Sequence, residues 1–174
     1  MNRVGEFEKV SFEQYYEAIK DEFYKEQEMT PALQENIKKS WEALQLPSRA
    51  TSGSAGYDFK APFSFSLEAG DTIKIPTGIR VKVDEGWWLG CLPRSGLGFK
   101  YRLQLDNTIG VIDSDYRGEF IVALHNHGTE SQTVASGERI AQLVVTPILM
   151  PEYVETDSLS ATQRGEGGFG STGK

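Results

Sequence analysis

The chain changes its hydrophobic period at residue 48, and that change constrains its fold more than any single motif. Over residues 1–47 the apolar positions recur at helical spacing, and no glycine follows Gly5. Ser11 with Gln14 three residues on predicts a capping box, after which Phe12, Tyr15, Tyr16, Ile19 and Phe23 share one helical face. Thr30 followed by Pro31 predicts a second N-cap with proline at the first helical position. Leu33, Ile37, Trp41 and Leu44 then continue a stripe until Pro47 stops it. From residue 48 the period falls to two, in short β-branched and aromatic runs such as DTIKI, GIRVKV, WWLGCL, EFIVALHN and RIAQLVVTPI, separated by turn residues. These patterns predict an α-helical hairpin over 1–47 followed by an all-β sandwich, jelly roll or distorted barrel over 48–163. Within the latter, the alternation fades beyond Pro151 into YVETDSLSATQ, an arm leading to a flexible glycine-rich tail over 164–174. The apolar stripe of the hairpin must be covered by the flank of its own domain, by a sister subunit, or by a protein partner.

With 174 residues, 39% hydrophobic and 25% charged, the chain can bury a sizeable core as a soluble domain. A net charge of -7 with no cluster of Lys and Arg excludes a nucleic-acid polymer as partner, because phosphate backbones demand a basic surface. Small anions remain open, held by a few arginines and a divalent cation. The single Cys91 allows no internal disulfide, and the N-terminal MNRVGEFEKVSF has no signal-peptide core, which places the expected site of action in the cytoplasm. The longest apolar run, IAQLVVTPILM, is broken by Gln142, Thr146 and Pro147 and is too short to span a membrane.

Five stretches carry residues suited to chemistry. RGEGGFGSTGK (164–174) has the glycine spacing of both a P-loop and a dinucleotide fingerprint. The first pattern needs a Ser or Thr after its Lys and the second a strand before it, and neither is seen. Arg164 and Phe169 instead give this tail a charge and an aromatic face, a composition suited to ordering on a ligand. GVIDSDYRGE (110–119) sets Asp113 and Asp115 two apart, as a site or as a polar turn. PRSGLG (93–98) can turn backbone N–H groups toward an anion, or form an ordinary β-turn. SAGYDF (54–59) offers Asp58. GERIAQL (137–143) offers Arg139 and Gln142, residues that equally suit a surface pair. His125 and His127 are too few for a zinc site with Cys91 unless acids join them.

In order, AGYD, PRSGLG, Asn107-x-x-GVIDSDYRG, GERIAQL and RGEGGFGSTG resemble the five motifs of the homotrimeric dUTPase family, over residues 48–174. The resemblance implies a jelly-roll-like, distorted β-barrel subunit, a homotrimer with sites shared between subunits, and hydrolysis of dUTP to dUMP and pyrophosphate. By the same resemblance Asp113 is the general base that activates a water against the α-phosphorus. Arg94, Ser95 and Gly96 form the phosphate cradle, while Asn107 with Gly110, Val111 and Ile112 reads uracil. Tyr116 lies under the deoxyribose and excludes a 2'-hydroxyl, and Ile121 completes the pocket floor. Mg²⁺ rides on the triphosphate, held through water by Asp58 and Gln142. In the tail, Arg164 grips the terminal phosphate, Phe169 stacks on the base, and Gly170, Ser171 and Thr172 add contacts as the segment closes over the site.

Two other readings differ in chemistry. A dCTP deaminase, or a bifunctional deaminase-dUTPase, requires a glutamate on the strand after the hairpin, but EFIVALHN has no carboxylate after Glu119. A nucleotide-binding regulator would use the N-terminal helices to dock a protein partner.

Overall fold

The computed structural model describes residues 3–168. Both expected helices form where their caps predict. In α1 (Phe12–Phe23) the Ser11 hydroxyl accepts the Gln14 N–H at 3.2 Å, and the Gln14 side chain accepts the Ser11 N–H at 3.3 Å. In α2 (Pro31–Ala43) the Thr30 hydroxyl accepts the Leu33 N–H at 3.3 Å. Each bond satisfies a first-turn donor that the helix itself cannot.

The apolar stripe of the hairpin covers the flank of its own domain. Tyr15, Ile19, Ile37 and Leu44 are buried together, and Phe23 packs edge-on against Phe63 with ring centroids 5.3 Å apart. Polar links fix the contact. The Tyr15 hydroxyl lies 2.9 Å from the Ser40 hydroxyl, which donates at 2.9 Å to the Pro62 carbonyl, and the Trp41 indole N–H donates to the Val10 carbonyl at 3.0 Å.

The segment before α1 departs from the helical expectation for 1–47. Gly5–Lys9 is a strand, β1, whose Phe7 packs on the β core between Glu6 and Glu8. The remaining strands are β2 (Gly56–Lys60), β3 (Phe65–Leu67), β4 (Thr72–Val83), β5 (Trp87–Pro93), β6 (Leu103–Leu105), β7 (Gly110–Ile112), β8 (Glu119–Asn126), β9 (Gln132–Val134) and β10 (Arg139–Pro147). They form antiparallel sheets in the orders β1-β4-β8-β6 and β2-β10-β5-β7, with a β3-β9 ribbon. The two larger sheets pack face to face, as Phe59 of β2 stacks on Phe120 of β8 at 4.8 Å. Their inward side chains, among them Ile75, Leu89, Leu103, Leu124, Ile140 and Leu143, form one core. Among the described residues closure into a barrel is not observed, because backbone pairing leaves each sheet with edges of its own.

The runs DTIKI and GIRVKV belong to the single strand β4, interrupted by a bulge. Its register against β8 shifts between Pro76↔Ile121 and Arg80↔Glu119, so Thr77, Gly78 and Ile79 stand opposite Phe120 alone. The Thr77 hydroxyl closes the bulge by donating to the Phe120 carbonyl at 2.6 Å. Gly78 has φ +70, which few other residues adopt without strain. Residues 148–163 form no regular element and expose Leu149, Met150, Tyr153, Val154 and Leu159. No helix among the described residues is long and apolar enough to cross a membrane.

Two predictions follow from burial. Desolvation pushes the Tyr15 hydroxyl up to about 12, against a tendency of the Ser40 bond to lower it. Its contribution to stability is therefore intact below the unfolded phenol pKa of about 10 and is lost as pH rises through the folded value. An alkaline titration should show one late tyrosine ionising together with loss of helical signal. Tyr15→Phe should abolish that step at a cost of about 1 kcal/mol in denaturant unfolding. Cys91 is 4% exposed, and burial raises its thiol to about 12. A thiol reagent should label it only after denaturation; rapid labelling of the native protein would show that β5 opens locally.

Candidate active site

β10 lies between β2 and β5, and its register brings three of the motifs together. Gln142 stands opposite Asp58 on one side and Leu92 on the other. Asp58 is only 5% exposed, yet it lines a cleft of about 590 Å³ with Arg94, Gly96, Tyr101 and Arg139. A buried carboxylate needs compensating donors, and it has them. Arg94 Nη1 donates to Oδ1 at 2.5 Å and Arg139 Nη1 to Oδ2 at 3.3 Å, while the Asp58 N–H donates to the Ser48 carbonyl at 2.9 Å. One carboxylate between two guanidiniums leaves surplus positive charge, and both arginines are partly exposed to the cleft. The pair suits an anion with several oxygens, since guanidiniums bind phosphate through paired N–H donors.

Gln142 does not line this cleft. Its side-chain N–H donates to the Pro93 carbonyl at 3.1 Å, and its Oε1 lies where a Cβ on Gly56 would come within 2.5 Å. It braces β10 against β5 and packs closely over Gly56. Ser95 and Gly96 sit exposed at the turn after β5, steadied by the Gly98 N–H donating to the Arg94 carbonyl at 3.0 Å.

A second cleft, about 300 Å³, gathers the GVIDSDYRG residues. β7 is an edge strand that pairs with β5 through Gly110↔Cys91, Val111↔Gly90 and Ile112↔Leu89. Its other edge therefore presents backbone N–H and C=O groups without strand partners, the kind of surface that can read a planar, hydrogen-bonding ligand. Asn107, Gly110, Val111, Ile112, Asp113, Tyr116 and Ile121 all line the cleft. Asp113 follows β7 directly and is exposed; its carbonyl accepts the Tyr116 N–H at 3.2 Å, closing a turn that carries Asp115 away from the cleft. Arg117 holds the turn by donating to the Ser114 and Tyr116 carbonyls, each at 2.7 Å. The Tyr116 hydroxyl donates to the Glu119 carbonyl at 2.9 Å, folding the ring back over Gly118, where a Cβ would collide with it.

Two further residues belong to these clefts, Arg139, which GERIAQL offers, and Glu119. Arg139 joins the charge cluster from the bulged start of β10, the strand that pairs with β2 and so with Asp58. Glu119 lines the second cleft and accepts the Gly78 N–H at 2.6 Å; burial pushes its carboxyl up, partly opposed by that bond. Nothing in its local sequence marks it.

Among the described residues the two clefts share no lining residue within one chain. Arg164 lines neither; its Nε donates to the Gly167 carbonyl at 2.7 Å. Phe169, Gly170, Ser171 and Thr172 lie outside the described residues. Among the described residues no three His, Cys, Asp or Glu side chains gather as metal ligands. His125 and His127 form only a ring pair at 4.2 Å, with His125 Nδ1 2.9 Å from the Thr72 hydroxyl.

Residues 42–173 match the family model described as dUTPase. The chain is 45% identical over 136 residues to the deoxyuridine 5'-triphosphate nucleotidohydrolase of Alcanivorax borkumensis, covering 76% of this chain and 91% of that one. Among solved structures it resembles a variant of the Staphylococcus bacteriophage 80alpha dUTPase with dUpNHpp, with TM-score 0.68, 28% identity, and 75% and 92% of the two chains covered. A second structure of that phage enzyme, at 24% identity, shares the fold over 98% of this chain with TM-score 0.73. A motif order, an edge-strand cleft and an arginine-flanked aspartate thus coincide with a match across most of the chain: it belongs to the dUTPase family.

Proposed function

We propose that this chain is a dUTP diphosphatase that hydrolyses dUTP to dUMP and pyrophosphate. The observation that carries the reading is the cleft at the free edge of β7, with Asp113 at its rim and Tyr116 folded across its side. Backbone groups of Gly110, Val111 and Ile112 pair with uracil, with Asn107 completing that wall. A fixed pattern of donors and acceptors demands the 4-carbonyl and rejects cytosine. The Tyr116 ring, pinned by its bond to the Glu119 carbonyl, packs under the sugar and leaves no room for a 2'-hydroxyl. Ile121 supplies apolar floor.

Asp113 takes a proton from a water that attacks the α-phosphorus, with pyrophosphate as leaving group. Its exposure leaves it open to water until nucleotide covers it. The phosphates lie against Arg94, Ser95 and Gly96 with Arg139 beside them, and Asp58 holds the two guanidiniums at a fixed separation. These residues fit Mg²⁺ in an outer-sphere role. The Asp58 oxygens each keep lone-pair capacity beyond one guanidinium bond, and Gln142 spends only its side-chain N–H on the Pro93 carbonyl, so its amide oxygen can accept from a metal-bound water. Bound with the triphosphate, the ion would neutralise its charge.

Because the base cleft and the phosphate cleft are lined separately in one chain, the complete site forms between copies, in a homotrimer of jelly-roll-like subunits. The exposed apolar side chains of Val111, Phe99, Leu149 and Tyr153 suit burial between copies. Segment 164–174 then closes over the nucleotide, Arg164 on the terminal phosphate and Phe169 on the base, with Gly170, Ser171 and Thr172 along the phosphates.

Purified protein with Mg²⁺ should release pyrophosphate from dUTP orders of magnitude faster than from dCTP, dTTP or UTP. Comparable turnover of dCTP, or release of ammonia, would exclude the assignment. Asp113→Asn should lower kcat by about 10²- to 10⁴-fold while dUTP binding by calorimetry persists. Removal of residues 164–174 should leave a folded trimer with little activity; a monomer by light scattering would show that the tail serves assembly.

A further inference from the structure

The N-terminal helices and the nucleotide-binding hairpin meet at one residue, Gly78. Gly78, in the β4 bulge, is buried with φ +70, and a Cβ there would collide with Leu44 of the segment leaving α2 and press on the Tyr15 ring of α1. Its carbonyl accepts the Val10 N–H at 2.9 Å, so the chain between β1 and α1 is tied to the same point. On its other side its N–H donates to Glu119 Oε1 at 2.6 Å.

Glu119 is the residue at which the hairpin returns to the sheet. Its carbonyl holds the Tyr116 hydroxyl, and the residue lines the same cleft as Asp113 and Tyr116. The neighbouring Phe120 carbonyl is held by Thr77 of the same bulge at 2.6 Å. A continuous series of contacts therefore runs from Leu44 and Tyr15 through Gly78 to Glu119 and on to Tyr116. A carboxyl taken out of water needs a partner, and the bond from Gly78 supplies it while tying this end of the hairpin to the bulge.

We infer that Glu119 is a positioning residue for the deoxyuridine pocket, and that the N-terminal helical hairpin sets nucleotide affinity by holding Gly78 in place as the donor to Glu119. The inference rests on the reading of the second cleft as the nucleoside site. It gives the N-terminal helices a role in the chain's own chemistry, with no outside partner required.

The full-length protein and its Glu119→Ala, Glu119→Gln and Leu44→Ala variants test this by steady-state kinetics with dUTP, with thermal melts as a check on folding. Glu119→Ala should raise KM about tenfold with kcat nearly unchanged, because the pocket holds the nucleoside equally in ground and transition states. Glu119→Gln keeps an acceptor for the Gly78 N–H and should restore KM to within about threefold. Leu44→Ala should raise KM in the native background and add little in the Glu119→Ala background. By NMR, the Gly78 amide proton should move upfield in Glu119→Ala and stay near its native position in Glu119→Gln. An unchanged KM in Glu119→Ala, a fall in kcat alone, or additive effects of the Leu44 and Glu119 substitutions would overturn the inference while leaving the dUTP reading intact. A native protein inactive on dUTP would overturn that reading, and the inference with it.

Discussion

A carboxylate that is 5% exposed must be surrounded by donors, and the structure around the first cleft is organised by that requirement at Asp58. Two arginines converge on it, Arg94 just past the end of β5 and Arg139 at the start of β10, and the chain before β2 contributes the Ser48 carbonyl to its N–H. Removing either cation would leave an underpaired buried charge, while removing Asp58 would leave two guanidiniums repelling each other. The cluster thus locks the ends of β2, β5 and β10 and leaves an excess of positive charge facing solvent. A chain with net charge -7 attracts an anion only at a built site of this kind.

The second cleft depends on a strand edge. β7 is three residues long and paired on one side only, so its remaining backbone groups face the cleft. Exposed edges usually invite pairing with another chain, and shortness limits that risk here. The turn beyond it is fixed by contacts within the hairpin and by the β4 bulge, where the N-terminal helices also rest. Helices and pocket therefore lean on the same backbone.

Much of this was legible along the chain. The caps at Ser11 and Thr30 are local chemistry, so residues 11–43 could be read as two helices from type and spacing. The cleft residues from Asn107 to Tyr116 are nearly contiguous, and they line one cleft. Gly5–Lys9 was not legible as a strand, because five residues carry too little pattern and its pairing is bought by β4, more than sixty positions away. Gln142 lies opposite Asp58, yet its amide turns to Pro93, a choice made by the β5 neighbour that no motif encodes.

The sequence by itself determined the helical hairpin, the alternating strands and the set of residues able to do phosphate and nucleoside chemistry, since capping, periodicity and residue type act over a few positions. Only the tertiary structure decided which of those residues share a cleft, that Arg139 joins Arg94 on Asp58, and that Glu119 answers to Gly78. Those pairings span 36, 81 and 41 positions, and they exist because strand register, bulge and burial bring distant side chains to one carboxylate or one amide. Register is a property of paired strands, and no single strand carries it.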